Sequence, residues 1–218
     1  MTTTIQNLNV TGILNAANVS GTISSDALGN LKAGTGAFIS NVSGSNNTAV
    51  GTNALNENTS GNGNTAFGKS AGSNLTTGTN NCVLGYNAQA SSATVSNEIT
   101  LGDVNVLSLR CYAPLTNPSD ERDKTEIVDL ESCLDFVSNL RPVRFTWAMR
   151  EESANNGKPS VGFIAQELKL LQEQTGITIP SLVSDSNPDR LEASYGTLIP
   201  VLVQAIKELN DKLNKRVN

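Results

Sequence analysis

The sequence predicts a mixed fold: an N-terminal β-solenoid and interwoven β-shaft of fibrous type, followed by an α+β domain that ends in a long coiled-coil helix. A glycine-marked repeat with a period of 17 residues runs through the first half of the 218-residue chain. Charge is concentrated in the second half, since residues 1–118 hold four acids and three bases and the remainder holds 16 acids and 12 bases. These shifts predict a β-shaft over 1–43, repeats over 44–118 and a globular domain over 119–218.

The repeats of the first module are marked by small residues that recur every 17 positions. Such a fixed period is the signature of stacked structural repeats. Short segments that end in glycine align in the same phase, the fourth more weakly than the others: 47–51, 64–68, 81–85 and 98–102. Two further series keep the same step, namely Gly44, Gly61 and Gly78, and Ala54, Ala71 and Ala88.

Each repeat is expected to form a strand of about three to five residues, a glycine turn in which positive φ causes no strain, and a polar return. Stacking should align Val50, Phe67, Leu84 and Leu101 so that they bury one another, while side-chain amides bond along the stack. Four thin coils make a small core, and the chain has no disulfide framework to support it. We therefore expect several chains to associate, as a homotrimer.

The segments on either side of the repeats have looser β patterns. Residues 1–43 contain Asn-Val-Ser/Thr-Gly motifs and alternating apolar residues, which favour a thin β-shaft. The alternative is a disordered low-complexity tail, because hydrophobicity there is low. After the last repeat, alternating apolar residues over Val104–Ala113 predict a strand.

The charged module has the element pattern of an α+β domain. Apolar residues at helical spacing from Leu130 to Leu140 predict a helix that Pro142 ends. Alternating strands are predicted over 143–147 and 161–165, separated by a turn at 155–159, and a helix follows from Gln166.

The C-terminal segment carries a coiled-coil seam of about two heptads. Its apolar residues alternate steps of three and four: Ile199, Leu202, Ile206, Leu209 and Leu213. The order of Ile and Leu at these positions leans toward dimers, so the heptads alone do not specify a trimer. The alternative is a single amphipathic helix that packs on its own domain.

Ser119 and Lys124, at the start of the charged module, form a candidate reaction centre. A serine hydroxyl five residues ahead of a lysine amine can act as nucleophile and base once burial favours the neutral amine. The chain has no histidine, so a histidine-dependent triad is excluded. The alternative is structural, because Pro-Ser-Asp is also a common turn or helix N-cap in which Ser119 or Asp120 accepts a backbone N–H.

Composition excludes several classes of partner. A net charge of −5 and a sequence pI near 4.8 argue against nucleic-acid binding. Cys82, Cys111 and Cys133 have no zinc or redox spacing, so we expect unpaired thiols, no metal site and no cofactor. No export signal is evident, and no apolar run approaches the ~18 residues of a membrane span, so membrane insertion is not expected.

Five segments of the second module occur in a fixed order: Ser119-Asp120-x-x-x-Lys124, Leu140-Arg141-Pro142-Val143-x-Phe145-x-Trp147, 162–167 (Gly-Phe-Ile-Ala-Gln-Glu), Tyr195-x-x-Leu198-Ile199-Pro200 and 205–209 (Ala-Ile-Lys-Glu-Leu). Together they resemble the intramolecular chaperone domain of bacteriophage endosialidases and tail fibres, the S74 peptidase family. The resemblance covers about residues 118–218. The repeats are similar, less specifically, to β-helical head repeats of phage tail fibres and trimeric adhesins.

This resemblance implies a chaperone that trimerises its upstream β-fibre and then releases itself. Ser119 would be the nucleophile and Lys124 its activator, with cleavage at Ser119-Asp120. Attack by the Ser119 hydroxyl on its own carbonyl closes a strained four-membered ring, whereas attack on the Pro118 carbonyl closes a five-membered ring. Which bond breaks is open at this point.

The function that these features favour is a phage tail-fibre or appendage protein, located in the virion and assembled in the host cytoplasm. Its expected partners are other copies of itself, other tail or fibre proteins, and a host surface receptor such as a glycan. The alternative is a trimeric host-binding adhesin in which the C-terminal domain is a permanent, uncleaved module. Enzyme activity would be at most a single-turnover self-cleavage. A glycan-cleaving fibre is disfavoured, because its four carboxylates are scattered: Asp26, Glu57, Glu98 and Asp103.

Overall fold

The computed structural model describes residues 23–217 and divides the chain into two compact units, one ending at Asp103 and one beginning at Val104. The predicted shaft over 1–43 therefore lies outside the described residues for positions 1–22. The boundary predicted at 118/119 marks a change in charge and stays a prediction. The predicted fold class is confirmed, since a β-solenoid precedes an α/β region that ends in a long helix.

The first unit is a stack of short strands in one sheet, ordered along the chain. β1 pairs antiparallel with β2, and each later pair is parallel with a register step of 17 residues. The parallel part begins one repeat upstream of the first segment aligned by sequence. The strands are β1 (Ile23–Ser25), β2 (Leu31–Ala33), β3 (Thr48–Val50), β4 (Thr65–Phe67), β5 (Cys82–Leu84) and β6 (Ile99–Leu101).

The recurring glycines are required where successive coils touch. Gly51 and Gly68 have φ of 127° and 138°, and a Cβ at Gly51 would lie 2.4 Å from the carbonyl oxygen of Gly68. In the second series, a Cβ at Gly61 would lie 2.2 Å from the oxygen of Gly78. Both series therefore repeat because the backbone of one coil rests against the backbone of the next.

The interior of the coils is filled by alanines together with a few larger side chains, among them Leu55 and Leu75. The middle residues of β3, β4 and β5 point inward and are fully buried: Ala49, Ala66 and Val83. The expectation that the column of Val50, Phe67, Leu84 and Leu101 buries itself was wrong. These residues do align, but Phe67 is 60% exposed and Leu101 is 49% exposed. They are exposed because they lie on the outward side of each strand, opposite the middle residue.

A ladder of buried asparagines joins the coils, as the expectation of amide bonding along the stack required. The Oδ1 atom of Asn47 accepts the backbone N–H of Asn64 at 2.8 Å, and Asn64 Oδ1 accepts that of Asn81 at 3.0 Å. Each Nδ2 also donates to a carbonyl in the next turn, as Asn64 does to Gly78 at 2.8 Å. The ladder starts at Asn30, and its last backbone N–H comes from Glu98.

In the second unit, two short helices and the first part of a long C-terminal helix contribute to one core. β7 pairs with β8 and β9 with β10, both antiparallel. The core comprises Cys133, Phe136, Leu168, Ile179, Leu182, Leu198, Val201 and Ala205. The elements are α1 (Leu134–Asn139), β7 (Val143–Thr146), β8 (Pro159–Gly162), α2 (Ala165–Thr175), β9 (Val183–Ser184), β10 (Glu192–Ala193) and α3 (Leu198–Val217).

Two sequence-based elements of this unit differ from prediction. No strand forms over 104–113, and residues 105–113 are all exposed. Alternation alone does not make a strand, because a strand needs a neighbour to accept its backbone hydrogen bonds. The first helix is also shorter than expected, since it begins at Leu134 while Leu130 stays half exposed.

α3 has two apolar faces. One packs into the core through Leu198, Val201 and Ala205. The other is the predicted seam, which remains 40–65% exposed along its whole length: Ile199, Leu202, Ile206, Leu209 and Leu213. The helix therefore packs on its own domain without using the seam. Within residues 23–217, no helix is long and apolar enough to cross a membrane.

We predict that Asn64→Ala destabilises the solenoid by about 2–4 kcal/mol, because it removes the partners of the buried Asn81 N–H and Gly78 carbonyl. Asn62→Ala is the matched control, since Asn62 lies in the same coil but is exposed, and water can replace its bond to Ser45. Urea unfolding followed by circular dichroism measures both variants. Equal midpoints for the two would show that the ladder does not stabilise the stack.

Candidate Ser119 and Lys124 site

A short turn brings the two predicted site residues together. Residues Glu121–Asp123 form a single turn of 3-10 helix, which Ser119 and Lys124 flank. The backbone N–H of Lys124 donates to the carbonyl of Glu121 at 3.1 Å, which folds the lysine back toward the start of the turn. Its Nζ then donates to Ser119 Oγ at 2.8 Å and to the Ser119 carbonyl oxygen at 3.1 Å.

The cap of this turn is Asp120 and not Ser119. The Asp120 carboxylate accepts the backbone N–H of Arg122 at 2.9 Å and forms an ion pair with the Arg122 guanidinium at 2.6 Å. Its side-chain hydrogen bond with Arg122, and then the backbone bond, lower the pKa of Asp120. Asp120 is thus committed to the turn, and the Ser119 hydroxyl is left for the lysine amine.

The pair has the reach needed for proton transfer, since a base must lie within hydrogen-bond distance of the proton that it takes. Only a neutral amine has a lone pair that can accept the serine proton. Ser119 and Lys124 are both exposed in the single chain. The geometry therefore fits a nucleophile and a base in position.

Other residues of the family-like segments hold the fold together at a distance from this pair. Arg141, before β7, forms a two-pronged ion pair with Glu167 of α2, with Nε to Oε2 at 3.0 Å. The Tyr195 hydroxyl accepts the N–H of Phe163 at 3.1 Å and donates to its carbonyl. A Cβ at Gly162 would lie 2.7 Å from that hydroxyl, so the glycine makes room for the tyrosine.

Glu208 of α3 has a role that the sequence did not reveal. Its carboxylate accepts the Ser132 hydroxyl at 2.6 Å and the Cys133 N–H at 2.8 Å, at the N-terminus of α1. The long helix thus caps the short one across 75 residues of chain. Hydrogen bonds from Ser132 and then Cys133 lower the pKa of Glu208. The only sign of this capping role in the sequence was that a glutamate lies within the 205–209 segment.

No group of three metal-ligating side chains lies together among residues 23–217. The three cysteines are free thiols, with Cys133 buried, Cys111 exposed and Cys82 intermediate. Burial, with Glu208 and Glu131 nearby, raises the pKa of Cys133. That thiol is therefore poorly suited to act as a nucleophile.

Comparison with known families supports the resemblance of the second unit. Residues 119–177 match the family model Peptidase_S74, described as chaperone of endosialidase. The match begins at Ser119 and includes Lys124, α1, the β7–β8 hairpin and α2. The expected similarity to this family is thereby confirmed for that stretch. A search of curated proteins found no match to the chain.

We predict that Glu208→Gln lowers the melting temperature near neutral pH, because the charged acceptor at the start of α1 is lost. A carboxyl whose pKa is lowered by folding stabilises above its unfolded pKa, near 4.3, and that contribution disappears as pH falls through the folded value. The gap between wild type and variant should therefore shrink below about pH 4 in thermal scans. Glu152→Gln, at an exposed site, is the control; an equal effect there would contradict the capping role.

Proposed function

We propose that the chain is a phage tail-fibre or appendage protein whose first unit is structural and whose second unit is a trimerisation chaperone that releases itself by one cut at Ser119. The observation that carries this proposal is the 2.8 Å contact between Lys124 Nζ and Ser119 Oγ, at the first residue of the chaperone-family match. The assembled fibre would belong to the virion and bind other tail proteins and a host receptor such as a glycan.

Assembly is supported by the exposed seam of α3. Its residues repeat at coiled-coil spacing, and their exposure contrasts with the buried face of the same helix. A soluble protein rarely leaves a continuous apolar stripe of this kind uncovered. Helices from other copies of the chain would cover it, which is the role expected of a trimerisation module.

The cut follows from the chemistry of the pair. The Ser119 hydroxyl adds to a neighbouring peptide carbonyl while its proton passes to the neutral Lys124 amine. The carbon–nitrogen bond then breaks, and the lysine returns the proton to the departing nitrogen. The resulting ester between the acyl group and Ser119 Oγ is hydrolysed by water. A nucleophile at the scission point is consumed with its bond, so each chain would cut once.

Assembly would control this reaction through solvation. In the single chain both side chains are exposed, and a solvated ammonium cannot accept the serine proton. Burial between chains would remove water from the amine and favour its neutral form. The same contact that completes the trimer would therefore permit its release from the chaperone.

The bond at Ser119-Asp120 is the one that the family resemblance implies, and Lys124 Nζ lies 3.1 Å from its carbonyl oxygen. Attack on the Pro118 carbonyl avoids the four-membered ring that an attack by Ser119 on its own carbonyl would need. The two routes give fragments that differ by one serine, so mass spectrometry of the products distinguishes them.

A second candidate function is a trimeric adhesin in which the domain is a permanent, uncleaved trimerisation module. The exposure of Ser119 and Lys124 favours it, because an exposed ammonium bonded to two oxygens also serves to fix a turn. In this candidate function the domain still assembles the chains, but it does not cut a peptide bond.

We predict that Ser119→Ala and Lys124→Ala abolish cleavage and leave the assembled mass unchanged, since an exposed substitution usually costs no more than about 1 kcal/mol. Lys124→Arg should also fail to cleave, because a guanidinium keeps its proton. Ser108→Ala and Lys158→Ala, at exposed positions of the same unit, are the matched controls. Denaturing gels, intact mass and light scattering provide the measurements.

Full cleavage of the Ser119→Ala chain would overturn the proposed nucleophile. An assembled wild-type chain that stays intact after long incubation at mildly alkaline pH would favour the uncleaved adhesin. A folded wild-type monomer would contradict both candidates, because each requires several chains.

A further inference from the structure

The solenoid sheet has an inverted distribution of side-chain size. In β3, β4 and β5 the middle residue is buried in the coil, while the first and third residues point outward. Phe67 is 60% exposed, Ile99 72%, Leu101 49% and Leu84 37%. The strands thus bury alanine and valine and leave their largest side chains exposed, whereas the buried larger residues Phe38, Leu55 and Leu75 lie outside the strands.

These exposed residues form continuous columns on one face, which we call the outward face. It consists of the first and third residues of β2–β6, and none of them is charged. Strand register places Val50, Phe67, Leu84 and Leu101 directly above one another. Scattered apolar residues are normal on a monomer, but a contiguous patch marks an interaction site. The full set is Leu31, Ala33, Thr48, Val50, Thr65, Phe67, Cys82, Leu84, Ile99 and Leu101.

The periodicity of the outward face specifies its partner. Its rows repeat at the strand spacing of about 4.8 Å, so a partner must present apolar rows with the same spacing on a similarly flat surface. The sheet of another copy of this chain has that spacing. A glycan would need hydrogen-bonding groups, and a partner recognised by charge would need charged residues, which this face lacks.

We infer that copies of this chain meet through the outward face, with the same coil of each copy side by side. The inference rests on the self-association in the proposed function and adds the surface and its register. Burial between copies adds the large outward strand residues to the small core that each chain has by itself. Phe67, Leu84 and Leu101 are then interior residues of the assembly.

Cross-linking through Cys82 can reveal the register between copies, because the residue at the first outward position differs from coil to coil. That column reads Thr48, Thr65, Cys82 and Ile99. Copies in register bring Cys82 of one chain to Cys82 of another. A slip of one coil would instead place it against Thr65 or Ile99.

The test uses thiol cross-linking of the full chain carrying Cys111→Ser, which leaves Cys82 as the accessible thiol because Cys133 is buried. A short bifunctional maleimide should convert the assembled chain to covalent dimers on a denaturing gel. Adding Cys82→Thr with Thr65→Cys should retain the product, since Thr65 lies on the same face. Cys82→Thr with Thr77→Cys is the control, because Thr77 is exposed but lies outside the strands; it should give no dimer.

A second pair of variants tests the face without cross-linking. Phe67→Glu would bury a carboxylate between copies and should weaken association more than tenfold in sedimentation experiments. Thr77→Glu adds the same charge away from the strands and should leave association unchanged. Comparing the two separates a specific contact from general repulsion.

The inference is overturned if an associated chain gives no dimer through Cys82 or the cysteine at position 65, or if Phe67→Glu associates as wild type does. Association through another surface would then remain, and the proposed function would stand. A wild-type chain that sediments as a folded monomer does not self-associate at all, and this result would contradict both the inferred interface and the proposed function. Dimers from the position-77 control at the same yield would show unspecific cross-linking and also reject the face.

Discussion

The narrowness of the 17-residue coil is the constraint on which the first unit depends. Because neighbouring backbones approach closely at glycine, the interior is built from alanines, the asparagine ladder and a few larger side chains such as Leu55 and Leu75. The ladder satisfies polar groups that no water reaches, so it fixes the stacking of the coils. It adds little apolar burial, and the largest strand residues lie on the outward side of the sheet. In the proposed assembly, that surface is covered by other chains.

The second unit also leaves apolar surface exposed, in this case along a helix. α3 packs on its own domain with one face and leaves a heptad seam on the other, while Glu208 links that helix to α1. A compact domain that folds locally can bring chains together before slow pairing between long β elements occurs. The Ser119 and Lys124 pair flanks a turn whose hydrogen bonds are all local, so the proposed site is already formed in the single chain.

Local features of both units could be predicted from sequence. The period, the glycine turns, β7, and the approach of Lys124 to Ser119 follow from short-range spacing. The side of the sheet on which the Phe67 column lies could not be predicted, because three alternating residues do not reveal which face is interior. The cap by Glu208 spans 75 residues and depends on tertiary packing. The strand predicted over 104–113 does not form, because its alternating residues have no neighbouring strand to pair with.

In the proposed function, the repeats depend on the second unit to reach their assembled state. The most direct measurement compares refolding of residues 1–118 alone with refolding of the full chain, by circular dichroism, light scattering and the soluble fraction recovered. We predict that the fragment alone aggregates or stays disordered, while the full chain yields a soluble trimer. A fragment that refolds alone to the same β signal and the same trimeric state would contradict the chaperone role.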